Sequence, residues 1–216
     1  AFGASPDFSK VSVSGVDTVD ALDIQLAAKL DYRIRLVAEA ERREDGVRCF
    51  VAPAMFSLSH PLAQVLGPTN AVMVEGEPVG RVTLTGPGAG EGPTASAVMG
   101  DVARIFDGSA TPPFGTRASE LEDKFVESSG EGAKSCWFLR ARLADKSGAL
   151  AALSDVLASC DVSIDKLIQD SAGDTGAAPI AIVTHPCTRK AAQSAVERVG
   201  ALDASVDAPQ LIRIEA

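Results

Sequence analysis

Apolar and polar positions along the chain follow two spacings, and each predicts an element type. Ala21, Leu22, Ile24, Leu26, Ala27, Ala28 and Leu30 recur at near-helical intervals, which predicts a helix from about Val19 to Leu30 with Asp17 or Thr18 as its cap. Tyr32 to Ala40 alternates, with Tyr32, Ile34, Leu36 and Ala38 on one side, and reads as a strand. Glu44-Asp45-Gly46 is a hairpin turn signal, and Val47 to Ala52 is the returning strand. Pro53 to Ser59 connects, and His60 to Ala63 starts a short turn or helix. Ala71 to Glu75 and Val79 to Leu84 are two more strands, joined by Gly76-Glu77-Pro78. Thr94 to Phe106 reads as a second helix, with Pro93 at its first position. Before all of these, SKVSVSG alternates and predicts a short strand or an extended arm. The four strands are expected to form one mainly antiparallel sheet flanked by the two helices.

Residues 107–134 change character. Pro, Gly, Ser and charges dominate, so the stretch reads as a linker with a short helical turn at 118–126. A second run of elements follows. Cys136 to Ala144 is a strand, Ala149 to Ser159 an amphipathic helix, and Val162 to Gln169 an alternating strand. Ser171 to Ala177 is a turn, Ala178 to His185 a strand, Thr188 to Val199 a helix, and Ala204 to Ile214 holds a last strand. The order is βαββαβ, the ferredoxin-like split unit. The fold class is therefore α+β, in three stretches: 1–107, a linker at 108–134, and 135–216.

Composition narrows the chemistry. The 216 residues are 46% hydrophobic and 23% charged, ordinary for a folded chain of one or two domains, and the net charge is −9. That charge argues against nucleic acid or an anionic membrane as partner. No apolar run approaches the roughly 18 residues of a spanning helix. Cys49, Cys136, Cys160 and Cys187 are far apart, with no CxxC and no Cys/His cluster. Most of them read as buried free thiols, no metal site is expected, and a cytoplasmic setting fits. His60, before a proline, reads as a turn or cap residue rather than a base. The Arg33/Arg35 and Arg42/Arg43 pairs read as solvated. Opening on Ala1 rather than Met, the chain reads as a fragment or processed piece.

The stretch with the most chemical content is 85–98, TGPGAGEGPTASAV. A strand runs into Gly86, Gly88, Gly90 and Gly92, and a helix leaves. Glycines admit positive φ and let a ligand approach bare backbone, and the helix start presents unpaired N–H groups. Such a site suits a phosphate, a carboxylate or a dinucleotide edge. The competing reading is a tight strand-to-helix turn with small residues for close packing. The stretch is neither a Walker loop nor GxGxxG, because no Lys-Ser/Thr follows and the glycine spacing differs.

GPGAGEGPTASAVMGD closely resembles the end of the catalytic domain of the homoserine dehydrogenase family. GVDTVDALDIQLAAKLDYRIRLVAEAER (15–42), the HPLA of His60 to Ala63, and NAVMVEGEPVGRVTLTGPGAG (70–90) agree with that family in order and spacing. The likeness covers roughly residues 1–107. It implies a C-terminal part of an enzyme that interconverts L-homoserine and L-aspartate 4-semialdehyde with NAD or NADP, on the route to threonine and methionine. It also implies a dimer formed through the sheet and a nicotinamide contact at Gly90, with Gly88 and Ala89 shaping the same edge. The family's YAE-x-DP and D-x-x-G-x-D-x-x-x-K segments, which carry its catalytic lysine, are expected upstream, so no catalytic residue is assigned here. Lys29, Asp17, Asp20 and Asp23 match the family's later helix, and a cap and a solvated face explain them.

Within 135–216, D-K-S-G-A-L after the first strand and VSI opening the second resemble an ACT domain. That resemblance implies an amino-acid effector site at Asp145, Lys146, Ser147, Gly148, Ala149 and Leu150, with threonine as the suspected ligand. The family more often has Pro where Ser147 stands. Gly148 permits close backbone approach, and the helix start attracts a carboxylate. The competing reading is that Gly148 only makes the turn and the domain only dimerises. The alternative for the whole chain is a non-catalytic, amino-acid-binding regulatory or dimerisation module.

Overall fold

The structure is a computed structural model that describes residues 2–5, 7–112, 115–123, 126, 134–173 and 176–215. In chain order the first elements are β1 (Ser12–Val13), α1 (Ala21–Lys29), β2 (Tyr32–Arg43), β3 (Gly46–Ser57), β4 (Thr69–Gly76), β5 (Gly80–Pro87) and α2 (Glu91–Phe106). They are followed by β6 (Lys134–Ala144), α3 (Ala149–Ser159), β7 (Ile164–Gln169), β8 (Ala177–Thr184), β9 (Cys187–Thr188), α4 (Arg189–Gly200) and β10 (Gln210–Glu215). Two compact units result, each built from separated segments. One comprises Ala1–Ser12, Glu39–Phe50 and Ser59–Ser128, the other Val13–Ala38, Val51–Leu58 and Ser129–Ala216. The expected linker falls partly outside the described residues. Among its described residues a 3-10 turn forms at Ala118–Glu120.

The second unit is built on the βαββαβ order. Its strands run β10-β6-β8-β7, each antiparallel to its neighbour, and β3 extends the β10 edge in parallel through Ala54↔Arg213 to Phe56↔Glu215. Alternation along β6 sorts its side chains. Trp137, Leu139, Ala141 and Leu143 join Leu153 and Leu157 of α3 and Ala192, Ala195 and Val199 of α4 in one core. Phe138 faces the other way. With Ala181, Val183, Ile212, Ile214 and Met55 it packs against Leu26, Ala27 and Leu30 of α1. Each fully buried leucine in these layers contributes about 1.5–3 kcal/mol.

The position of α1 departs from the expectation. It was expected to flank a four-strand sheet made by the first half of the chain. Instead it covers the second face of the C-terminal sheet, whose strands supply the apolar surface that its Leu26, Ala27 and Leu30 need. The four strands also separate: β2 and β3 join the large sheet, and β4 pairs with β5 in a separate two-stranded sheet. The helix begins at a different cap from the one expected. Asp20, not Asp17 or Thr18, accepts the Asp23 N–H, and the Asp23 carboxylate accepts the Asp20 N–H, both at 2.9 Å. Its C-cap is Leu30, and the next residue, Asp31, stands at φ 65, a left-handed position that Asp tolerates.

In the first unit β4 and β5 form a two-stranded hairpin paired from Thr69↔Pro87 to Gly76↔Gly80. Directly paired apolar residues, Val72 with Leu84 and Val74 with Val82, are exposed. The α2 helix has no buried residue, and Val98, Met99, Ile105 and Phe106 are exposed on it. Among the described residues no helix is long and apolar enough to cross a membrane.

Candidate functional site

In the first unit, β5 ends at Pro87 and α2 starts at Glu91, so the glycine loop spans three residues. Gly90 is the N-cap of α2 at φ 121 and ψ 154, a conformation that L side chains rarely adopt, and no side chain caps the helix. Pro93 therefore sits at the third helical position rather than the first, where a missing N–H still costs no helical bond. Gly88 donates its N–H to the Pro68 carbonyl at 3.4 Å. A Cβ on Gly88 would fall 1.9 Å from Asn70 Nδ2, so the Asn70 side chain occupies the space this glycine leaves. Gly86 and Gly92 face open space. The loop thus presents bare backbone beside an uncapped helix start.

His60 is buried and caps the 3-10 helix Pro61–Gln64, its Nδ1 accepting the Leu62 N–H at 3.2 Å. Burial first, and the Arg81 charge second, hold its pKa below the usual 6.5. The unfolded chain therefore takes up the proton at higher pH than the folded one. The stability that neutral His60 contributes is complete above about pH 6.5 and is lost as pH falls through the lower folded-state value. Unfolding midpoints of the wild type and His60→Asn, compared from about pH 8 to about pH 5, should show the wild type losing ground below about pH 6.5. Parallel curves would contradict this assignment.

In the second unit, the loop after β6 is tied down by backbone. Asp145 donates to Gly176 O at 3.0 Å, Lys146 to Ala144 O at 2.8 Å, and Ala149 to Lys146 O at 3.2 Å. Asp145, Lys146, Ser147, Gly148 and Leu150 are exposed. Ala149 belongs to the core between sheet and helices, so its side chain is not available to a ligand. Gly148 is the N-cap of α3, left-handed at φ 88, and no side chain caps the helix. A Cβ there would meet nothing within 4 Å, so the cost of Gly148→Ala is backbone strain alone, about 1–2 kcal/mol. Urea titration should show that loss and a smaller one for Gly148→Asn; equal stability of the alanine variant would rule the strain out.

Residue-by-residue reading missed a cluster in the same unit. Asp23 was taken for a solvated helix position, yet it is 0% exposed, and its Oδ1 accepts from Arg140 Nε at 2.8 Å. Arg140, 5% exposed, also meets Asp20 at 3.3 Å and Asp207 at 3.5 Å. Burial works against the Arg140 charge; the Asp23 hydrogen bond and the charges of Asp23, Asp20 and Asp207 outweigh it and hold the guanidinium above its ordinary value. Two local signals were available: the Asp20-x-x-Asp23 box spacing, and an arginine in mid-strand within CWFLRARLA. Among the described residues no group of three or more His, Cys, Asp or Glu could hold a metal ion. All four cysteines are free, and burial raises the thiols of Cys49, Cys136 and Cys187.

A family model described as homoserine dehydrogenase matches residues 1–103. The homoserine dehydrogenase of Neisseria gonorrhoeae is 33% identical over 222 residues, covering 100% of this chain and 51% of that protein. That of Mycobacterium tuberculosis is 35% identical over 210 residues, covering 93% of this chain and 47% of that protein. The crystal structure of a homoserine dehydrogenase from Thiobacillus denitrificans superposes with a TM-score of 0.81 at 30% identity, over 99% of this chain and 49% of that one. The chain spans about half the length of the curated relatives it matches.

Proposed function

The chain belongs to the homoserine dehydrogenase family, and we propose that it works as the C-terminal half of an enzyme interconverting L-homoserine and L-aspartate 4-semialdehyde with NAD or NADP. The observation that carries the reading onto these residues is Gly90: a bare N-cap at φ 121 in a loop whose sequence agrees with the family's. The residues fit a cofactor edge, because Gly90 has no side chain to hold a planar ring away, and Gly88 and Ala89 would flank it. They do not form a complete dinucleotide site, since the 216 residues contain no GxGxxG. The chemistry a nicotinamide supplies when bound is hydride transfer; the part of this loop would be to position it. No segment here matches the family's D-x-x-G-x-D-x-x-x-K, so these residues alone are expected to be inactive.

Residues 135–216 would be an ACT-type regulatory domain, supported by their βαββαβ topology and by the left-handed Gly148 ahead of α3. An amino acid, with threonine the first candidate, would place its carboxylate at the start of α3, near the exposed Asp145, Lys146, Ser147 and Leu150. The exposed pairs Val72–Leu84 and Val74–Val82 suit a homodimer formed through β4 and β5. A cytoplasmic location and a place on the route to threonine and methionine go with the same reading. The complete gene product should reduce NAD or NADP with L-homoserine and be slowed by L-threonine, whereas the 216-residue chain should bind threonine without turnover. A complete product that ignores L-homoserine would overturn the dehydrogenase reading and leave the non-catalytic module.

A further inference from the structure

We infer that α1 carries the state of the effector loop to the strand that follows it, with Arg140 as the positioning residue of that link. The inference rests on the reading that Asp145–Leu150 takes an amino acid. β6 ends at Ala144, directly before that loop, and Arg140 stands four residues earlier on the face turned toward α1. The segment after α4 clasps the same end of β6. Ala144 donates to Ala204 O at 2.8 Å, and Val206 donates to Arg142 O at 2.9 Å. Asp207, carried by that segment, meets Arg142 at 3.4 Å and Arg140 at 3.5 Å. Arg140 then holds both carboxylates of the α1 capping box, Asp23 at 2.8 Å and Asp20 at 3.3 Å.

A connected chain of charges therefore runs from beside the loop to the first turn of α1. It is also stiff. Asp23 is fully buried, so leaving it unpaired is costly, and the helix must follow when Arg140 or Asp207 shifts. The other end of α1 is tied to the same unit through Lys29 and Asp170, 2.5 Å apart, and Lys166 lies 5.7 Å from the Tyr32 ring just beyond it. Packed helices respond as rigid bodies with few alternative seatings, which suits a two-position element. α1 then passes through Leu30 and Asp31 into β2.

Hydrogen exchange on the 216-residue chain, with and without L-threonine, tests the link. In the wild type, threonine should slow exchange about five-fold or more both at 145–152 and at 16–30, the size of ordinary coupling. In Arg140→Met/Asp23→Leu, which removes both buried charges together, the slowing should persist at 145–152 and vanish at 16–30. Asp207→Asn, at a half-exposed site, should weaken the 16–30 response while leaving the Asp23–Arg140 pair, and it decides the matter if the double variant does not fold. Slowing at 145–152 without any at 16–30 in the wild type, or an unchanged 16–30 response in a folded variant, overturns the coupling alone. No slowing at 145–152 in the wild type defeats the effector reading itself, and the coupling falls with it.

Discussion

Asp23→Ala is expected to lower the unfolding free energy by about 3–5 kcal/mol, out of proportion to the size of the side chain removed. Asp23 supports the fold in two ways. Its Oδ1 accepts the Arg140 Nε hydrogen, and its Oδ2 accepts the Asp20 N–H that opens α1. Truncation leaves a guanidinium buried with only the more distant Asp20 and Asp207 for company. A helix cap by itself is worth about 1 kcal/mol, so Asp20→Ala, at a largely exposed side chain, should cost far less. The two substitutions thus separate capping from charge burial. Asp23→Leu/Arg140→Met should recover most of the loss, because removing both charges removes the desolvation cost as well as the attraction. Urea unfolding of the four proteins measures this. A loss below about 1 kcal/mol for Asp23→Ala would mean that the pair is solvated and the burial assignment is wrong.

Phe138→Ala should cost a similar amount, about 3–5 kcal/mol, for a different reason. Phe138 is fully buried in mid-strand on β6, directly opposite Val183 of β8 and Ile212 of β10, and it packs in the layer under α1. Its removal opens a cavity beneath the helix between strands that cannot close on it. Phe138→Leu should cost less because most of the volume remains. Phe106→Ala is the matched control: at 87% exposed, it should change stability by no more than about 0.5 kcal/mol. Thermal or urea unfolding of the three variants reports the ranking. Near-equal stability of Phe138→Ala and wild type would show that α1 is not seated on this face.

Much of the element order was legible in the chain. α3 spans Ala149–Ser159 as its periodicity predicts, and β4 and β5 follow the alternation around Gly76-Glu77-Pro78. These are local properties, set by neighbours three, four or two residues away. Finer placement was less accessible. Leu150, at the start of an amphipathic helix, is exposed, while Ala149 takes the core position, because the left-handed Gly148 sets where the helix starts turning. At the glycine loop the residue types were plain, but which glycine needs a positive φ was not; Gly90 does, and Gly86 and Gly88 do not.

The partner of α1 could not be read locally at all. Periodicity shows that a helix has an apolar side, never which surface meets it, and apart from Met55 of β3 the face that α1 covers comes from strands more than 100 residues further on. For the same reason Asp23 looked like a solvated charge. A carboxylate in a first helical turn is ordinarily exposed, and only an arginine 117 residues away makes its burial tolerable. Strands, turns and helices are decided by short-range spacing and backbone preference. The seating of α1, the parallel junction of β3 with β10 and the buried charges of Asp23 and Arg140 depend on desolvation, which exists only once distant segments meet and exclude water between them.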